Sequence, residues 1–172
     1  MPDRYPTSKH YKPKKFAELL INDYARNIRQ LYKYGARKMA LTAIPPIGCN
    51  PYSASTIANG SSICNGEMNE AAELFNNKLS MVLPGLKKNL TGSVLGYLNM
   101  YSFMMDLIAS VKGGTGFLLK ECCMSMSNGL CKPSMVPCSN RNGVIFWDAI
   151  HTSEFVNKVL GNSLYAKIMK IM

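Results

Sequence analysis

KMALTAI at residues 38–44, stopped at once by Pro45-Pro46, decides the fold. The run is apolar on both faces, which suits a buried strand of a parallel sheet. Upstream of it, residues 14–34 read as an amphipathic helix. Phe16, Leu20, Tyr24, Ile28 and Leu31 form one stripe at spacings of four and three, and Gly35 is placed to end it. Residues 1–13, with Pro2, Pro6 and Pro13, read as an irregular basic arm. Downstream, residues 45–64 form a loop rich in Pro, Ser, Asn and Gly, bracketed by Cys49 and Cys64. A second helix is expected over 66–83, with Met68, Ala72, Phe75, Leu79 and Val82 inward and Pro84-Gly85 closing it. VLGYLNM at 94–100 reads as a second strand, and 101–110 as a short helix. Residues 112–143, rich in Gly, Cys, Ser and Pro, read as one long cross-linked loop. A short apolar run at 144–147 precedes a last helix capped by Thr152 or Ser153, with Glu154 in its first turn. Phe155, Val159, Leu164, Ile168 and Ile171 mark its expected buried side.

The alternation of helix and strand predicts an α/β fold with a parallel sheet. Only two convincing strands are present, fewer than such a sheet normally has. The chain therefore reads as the C-terminal part of one incomplete domain spanning residues 1–172, with neither an internal repeat nor a dividing linker.

Composition narrows the class. A hydrophobic fraction of 47% fits a globular chain and argues against disorder, and no stretch approaches the length of a membrane span. The net charge is +10, and residues 1–38 hold ten of the basic and three of the acidic side chains. A basic surface can attract nucleic acid or anionic lipid; a solvated helix face and a basic arm are the simpler reading, and no nucleic-acid-binding pattern accompanies the excess. Six cysteines, four of them within residues 122–138, point to disulfides and an oxidising compartment. Zinc is the competing reading, but no Cys-x-x-Cys or Cys/His pair of metal-binding spacing occurs. Connectivity stays open, with Cys49–Cys64 the best single pair because the two bracket one loop. Asn59-Gly60-Ser61 and Asn89-Leu90-Thr91 match the N-glycosylation sequon. These features speak for secretion, whereas residues 1–15 hold no apolar signal segment; a true N-terminus lying further upstream reconciles the two.

One constellation can carry chemistry. Phe146-Trp147-Asp148-Ala149-Ile150-His151 sets a carboxylate and an imidazole three residues apart, just before a helix. Serine-based ester hydrolysis needs a base to take the hydroxyl proton and return it to the leaving group. A carboxylate on the second ring nitrogen fixes the tautomer and stabilises the imidazolium. As a bare pattern this is weak, since an Asp followed by a His is more often a surface pair or a helix-start contact.

The wider sequence supplies context. Leu31-Tyr32-x-x-Gly35-Ala36-Arg37-Lys38 followed by Pro45-Pro46-x-Gly48-Cys49-x-Pro51 resembles the central block of plant-type GDSL esterases/lipases, of the SGNH hydrolase superfamily. Tyr5-Pro6-Thr7-Ser8, Asn69, Phe75-Asn76-x-Lys78-Leu79, Tyr101 and Asp106-Leu107-Ile108 are similar to that family in order. So are Cys122-Cys123, Cys131 with Pro133, and Pro137-Cys138-x-Asn140-Arg141. Phe146-Trp147-Asp148-x-x-His151 resembles its last block. The resemblance implies a three-layer α/β/α, flavodoxin-like parallel sheet. It implies His151 as general base and Asp148 as its orienting partner, with no metal and no cofactor. The substrate would be a small-molecule or lipid ester, and the full-length protein would be secreted. Departures stand at Thr152-Ser153, where the family has Pro-Thr, at Ala43, where glycine is common, and at Met124, where glycine is usual.

The family's nucleophilic serine block and its glycine and asparagine oxyanion blocks have no counterpart in the chain. Asn22-Asp23 does not supply one, because no glycine stands two residues before Asn22 and the pair falls within the first helix. Ser125, Ser127, Ser134 and Ser139 do not sit on a Gly-flanked strand-to-helix turn. The nucleophile is therefore expected upstream, and the chain alone is expected to be inactive. Met100, Met104, Met105, Met124 and Met126 are candidates for an acyl pocket, with core or loop packing the simpler reading. The alternative function is a non-catalytic, truncated or degenerate secreted binding module on the same scaffold.

Overall fold

The structure, a computed structural model, describes residues 10–56, 63–112 and 118–171. Helix α1 spans Pro13–Lys33, with the fixed φ of Pro13 suited to the first turn. It ends where Gly35, at φ +101°, turns the chain back. The Gly35 N–H donates to the Tyr32 carbonyl and the Ala36 N–H to that of Leu31, so two carbonyls of the last turn find partners. The buried side of α1 is Ala17, Ile21, Ala25 and Ile28, one position round from the expected stripe. Phe16, Leu20 and Leu31 are instead at the surface. Shape overrode bulk here. Alanines at 17 and 25 let α1 lie close to the helix beside it, where Tyr24 meets Phe75 edge-on at 5.9 Å.

Strand β1, Lys38–Thr42, follows, then the short helix α2 at Pro51–Ala54, helix α3 at Gly66–Asn89 and strand β2 at Val94–Leu98. β1 and β2 pair in parallel from Lys38↔Val94 to Thr42↔Leu98, with α3 as the crossover such pairing requires. Asn65 caps α3 by accepting the Met68 N–H. The helix does not close at Pro84 but runs on through it. A proline inside a helix costs about 3 kcal/mol. Beyond it Leu86 and Leu90 are buried, each contributing roughly 1.5–3 kcal/mol, so continuing the helix is favoured.

α1 and α3 cover one face of the β1–β2 pair, with Met39, Leu41, Leu79, Leu86 and Leu95 among the buried residues. The other face of β1 is open, with Lys38, Ala40 and Thr42 exposed, so β1 is not the doubly buried strand its composition predicted. β2 is covered on both sides. The last helix, α5 at Glu154–Ile171, lays Ile171 where a Cβ on Gly96 would come within 3.4 Å. Helices, sheet and helix thus form three layers of an α/β fold.

Helix α4, Met100–Lys112, leads to strand β3 at Leu118–Glu121, inside the stretch expected to be loop. β3 pairs in parallel with β4, Val144–Phe146. None of its four residues is fully buried, so no apolar signature marks it, and its partner lies far along the chain. The pair packs with α4 and α5 around Met104, Ile108, Ile145, Phe146 and Val156. Ser153, not Thr152, caps α5, its Oγ accepting the Val156 N–H. The buried side of α5 is Val156 and Leu160, again one position from the expected stripe, and Val159 is exposed. Its contacts to two different elements, β2 and the turn at Arg141–Gly143, leave no single apolar stripe for the sequence to display.

Candidate active site

The Asp148–His151 segment is a tight loop between β4 and α5. Phe146 bridges Thr152 in antiparallel fashion, the Trp147 N–H donates to the His151 carbonyl, and the Ser153 N–H donates to Ile145. These bonds pinch the chain so that both side chains point to one place. Asp148 Oδ1 accepts the N–H groups of Ile150 and His151, at 2.8 and 2.6 Å. The His151 ring turns Nδ1 onto the same carboxylate, 2.9 Å from Oδ2 and 3.1 Å from Oδ1. The Asp148 side chain is 6% exposed and that of His151 62%. Burial pushes the Asp148 carboxyl up. The His151 amide, the His151 ring and the Ile150 amide together outweigh that and hold it below its usual range. A carboxylate so held accepts a hydrogen bond from Nδ1–H, which leaves Nε2 as the basic nitrogen.

The disulfide loop holds this segment from behind. The Cys122 N–H donates to the carbonyls of Phe146 and Trp147, and the Cys123 N–H to that of Trp147. The Ala149 N–H donates to the Gly129 carbonyl and to Ser125 Oγ, which in turn donates to Glu121. The Tyr52 N–H donates to the Ala149 carbonyl. Gly129 sits at φ +84°, where a Cβ would come within 2.7 Å of Ile150 Cδ1. Cysteine pairing is Cys49–Cys64, Cys122–Cys138 and Cys123–Cys131, so the expected pair across the first loop is present and zinc ligation by the cysteines is excluded. The sequence reading missed Glu121, Ser125 and Gly129 as supports of the Asp148–His151 loop. Asn128-Gly129 was the available signal, since such a pair marks a turn.

His151 lines a cleft of about 410 Å³ together with Pro46, Met100, Met104, Phe146, Ile150 and Leu160. Two asparagines of α3 fix the far rim. Asn76 accepts the Ile44 N–H and donates to the Ile44 carbonyl, and Asn69 accepts the Gly48 N–H at 2.8 Å. A Cβ on Gly48 would lie 2.1 Å from the Asn65 carbonyl oxygen, so only glycine fits there. Of the methionines named from sequence, Met100 and Met104 border the cleft and Met104 also belongs to the core; Met105 packs against that core, and Met124 and Met126 are exposed. A wider depression of about 830 Å³ is bordered by Arg141, Trp147, Glu154 and Lys158, but neither Asp148 nor His151 reaches it.

Ser125 is occupied between Glu121 and Ala149, and Ser127, Ser134 and Ser139 lie exposed on the loop. Asn22 and Asp23 are exposed in mid-helix, where Asp23 pairs with Arg26. Asn89 is exposed at the end of α3, whereas Asn59-Gly60-Ser61 and Tyr5-Pro6-Thr7-Ser8 lie outside the described residues. Among the described residues no cluster of three His, Cys, Asp or Glu side chains suits a metal ion, and no helix is long and apolar enough to cross a membrane.

Comparison with known proteins finds relatives in sequence. The profile of the family described as GDSL-like Lipase/Acylhydrolase matches residues 4–164. The chain is similar to GDSL esterase/lipase At4g18970 and GDSL esterase/lipase 7 of Arabidopsis thaliana. Each is 34% identical over 172 residues, covering 97% of this chain and 47% of the relative. GDSL esterase/lipase At1g33811 of the same plant is 38% identical over 173 residues, covering 95% of this chain and 46% of the relative. The chain spans about half the length of the curated relatives it matches.

Proposed function

The chain belongs to the GDSL-like Lipase/Acylhydrolase family, and on that premise we propose that it carries the base and acid of a serine carboxylic ester hydrolase. The observation that supports this reading most is the Asp148–His151 contact at the edge of an apolar cleft. His151 Nε2 takes the proton of a serine hydroxyl supplied by a segment N-terminal to this chain. The serine oxygen bonds the ester carbonyl carbon, and the imidazolium returns the proton to the departing alkoxide. Water then enters by the same route, giving its proton to Nε2 and freeing the acid and the serine. Asp148 keeps the ring in the productive tautomer and stabilises its charged form. Written this way, the reaction uses no metal and no organic cofactor.

The substrate is a small-molecule or lipid ester, its acyl part lying against Met100, Met104, Phe146 and Leu160. Methionine suits such a pocket because its unbranched side chain adapts to varied partners. Three disulfides fit an oxidising, extracellular setting for the full-length protein.

The test is hydrolysis of p-nitrophenyl butyrate by the chain expressed in continuity with its upstream coding sequence. His151→Gln should lower kcat by about 10³-fold or more. Residues 1–172 alone should give no acyl-enzyme burst. Unchanged turnover in the His151 variant removes the proposed base. If no upstream serine block is encoded, the scaffold is a binding module instead.

A further inference from the structure

We propose that the outer face of the disulfide-held hairpin at residues 124–132, with Met135 and Val136 beside it, docks on an anionic lipid surface. The hairpin is defined by backbone contacts. Ser125 bridges Cys131 in antiparallel fashion, the Met126 N–H donates to Leu130 and the Lys132 N–H to Met124. Residues opposite one another in such a ladder share a face, and neighbours alternate between faces. The inner face therefore carries Ser125, bonded to the Ala149 N–H, and Cys131, bonded to Cys123. The outer face carries Met124, Met126, Leu130 and Lys132.

That face is apolar and open to water. Met124 is 58% exposed, Met126 38%, Leu130 41%, Met135 40% and Val136 89%. Apolar side chains scattered singly over a surface need no explanation, but a group gathered on one loop marks an interaction site. Charge identifies the partner. From residue 122 to residue 147 the sequence holds Lys132 and Arg141 and no Asp or Glu, and Lys120 stands exposed just before. Apolar insertion with Lys132 on the same face fits a lipid–water interface with anionic headgroups, where buried area and electrostatic attraction add. Cys122–Cys138 and Cys123–Cys131 order the loop in advance, so little conformational entropy is lost on contact.

The inference rests on the ester-hydrolase reading for its purpose, yet its test needs no turnover. The oxidised 172-residue chain is sedimented with vesicles of phosphatidylcholine alone and with phosphatidylcholine–phosphatidylglycerol mixtures, folding being checked by circular dichroism. The chain should partition onto the anionic vesicles. The double variant Met124→Asp, Val136→Asp should partition about tenfold more weakly or worse. Lys132→Glu should weaken binding to the anionic vesicles more than binding to phosphatidylcholine alone, and Met81→Asp, on α3, should bind as the parent does. Failure of the parent to sediment with either vesicle overturns the proposal, as does equal binding by the double variant. A dimer in light scattering that the double variant dissolves would assign the face to a second copy of the chain and overturn it too. Vesicle binding retained in a full-length protein without esterase activity would sink the hydrolase reading alone.

Discussion

Replacing Asp148 separates its structural work from its electrostatic work. In Asp148→Ala the Ile150 and His151 N–H groups lose their acceptor, and the imidazole loses its partner. An orphaned, partly buried donor costs about 1–3 kcal/mol, and relief from burying a carboxylate offsets part of that. The expected loss is about 2–3 kcal/mol. Asp148→Asn keeps an oxygen for the two amides and forfeits only the charge. His151 is 62% exposed, so water screens the interaction, and the expected loss is about 1 kcal/mol. Acid should abolish the difference. The folded carboxyl titrates below its ordinary value of 3.8, so it contributes stability above that pH, which disappears as pH falls through it toward the folded value. Urea midpoints of parent, Asn and Ala chains, taken at intervals from pH 7 downward with disulfides intact, check both claims. Equal losses in Asn and Ala would refute the amide argument. A parent–Asn gap that persists unchanged to about pH 2.5 would refute the linkage argument.

Two more substitutions probe the support behind the Asp148–His151 loop. Gly129→Ala adds a Cβ 2.7 Å from Ile150 at a φ of +84°, so a loss of about 2 kcal/mol in urea unfolding is expected, with lower kcat in the full-length protein. A neutral result would mean that the hairpin shifts freely under Ile150. Removing Cys123–Cys131 as a Cys123→Ser, Cys131→Ser pair should cost about 2–3 kcal/mol and speed amide exchange at Ala149, which bonds the same hairpin. Exchange unchanged at Ala149 would show that the loop is held without the crosslink.

Much of the frame was legible before the structure. Gly35, the two prolines after β1 and the spacing of α3 each marked a boundary or a face, and the last block named Asp148 and His151 as a pair. What failed, failed for physical reasons. The buried sides of α1 and α5 were each misplaced by one position. Alanines that permit close approach weigh little on a hydrophobicity count, and α5 divides its contacts between two elements. Pro84 was read as a terminator because its local cost is plain, whereas the burial of Leu86 and Leu90 that outweighs it is a tertiary effect. β3 was hidden because a four-residue, half-exposed strand has no periodicity to display and pairs far along the chain. Ser125 and Gly129 support the site through backbone bonds, which a sequence does not advertise.

Asp148 and His151 lie three residues apart on one loop, and this has a mechanical consequence. Domain breathing, thermal shear between strands or pressure from a bulky substrate alters the width of the cleft. None of these lengthens the Asp148–His151 contact, because both groups ride on the same few bonds. The Asp148–His151 pair therefore behaves as a rigid cartridge, and conformational noise falls on the distance across the cleft instead.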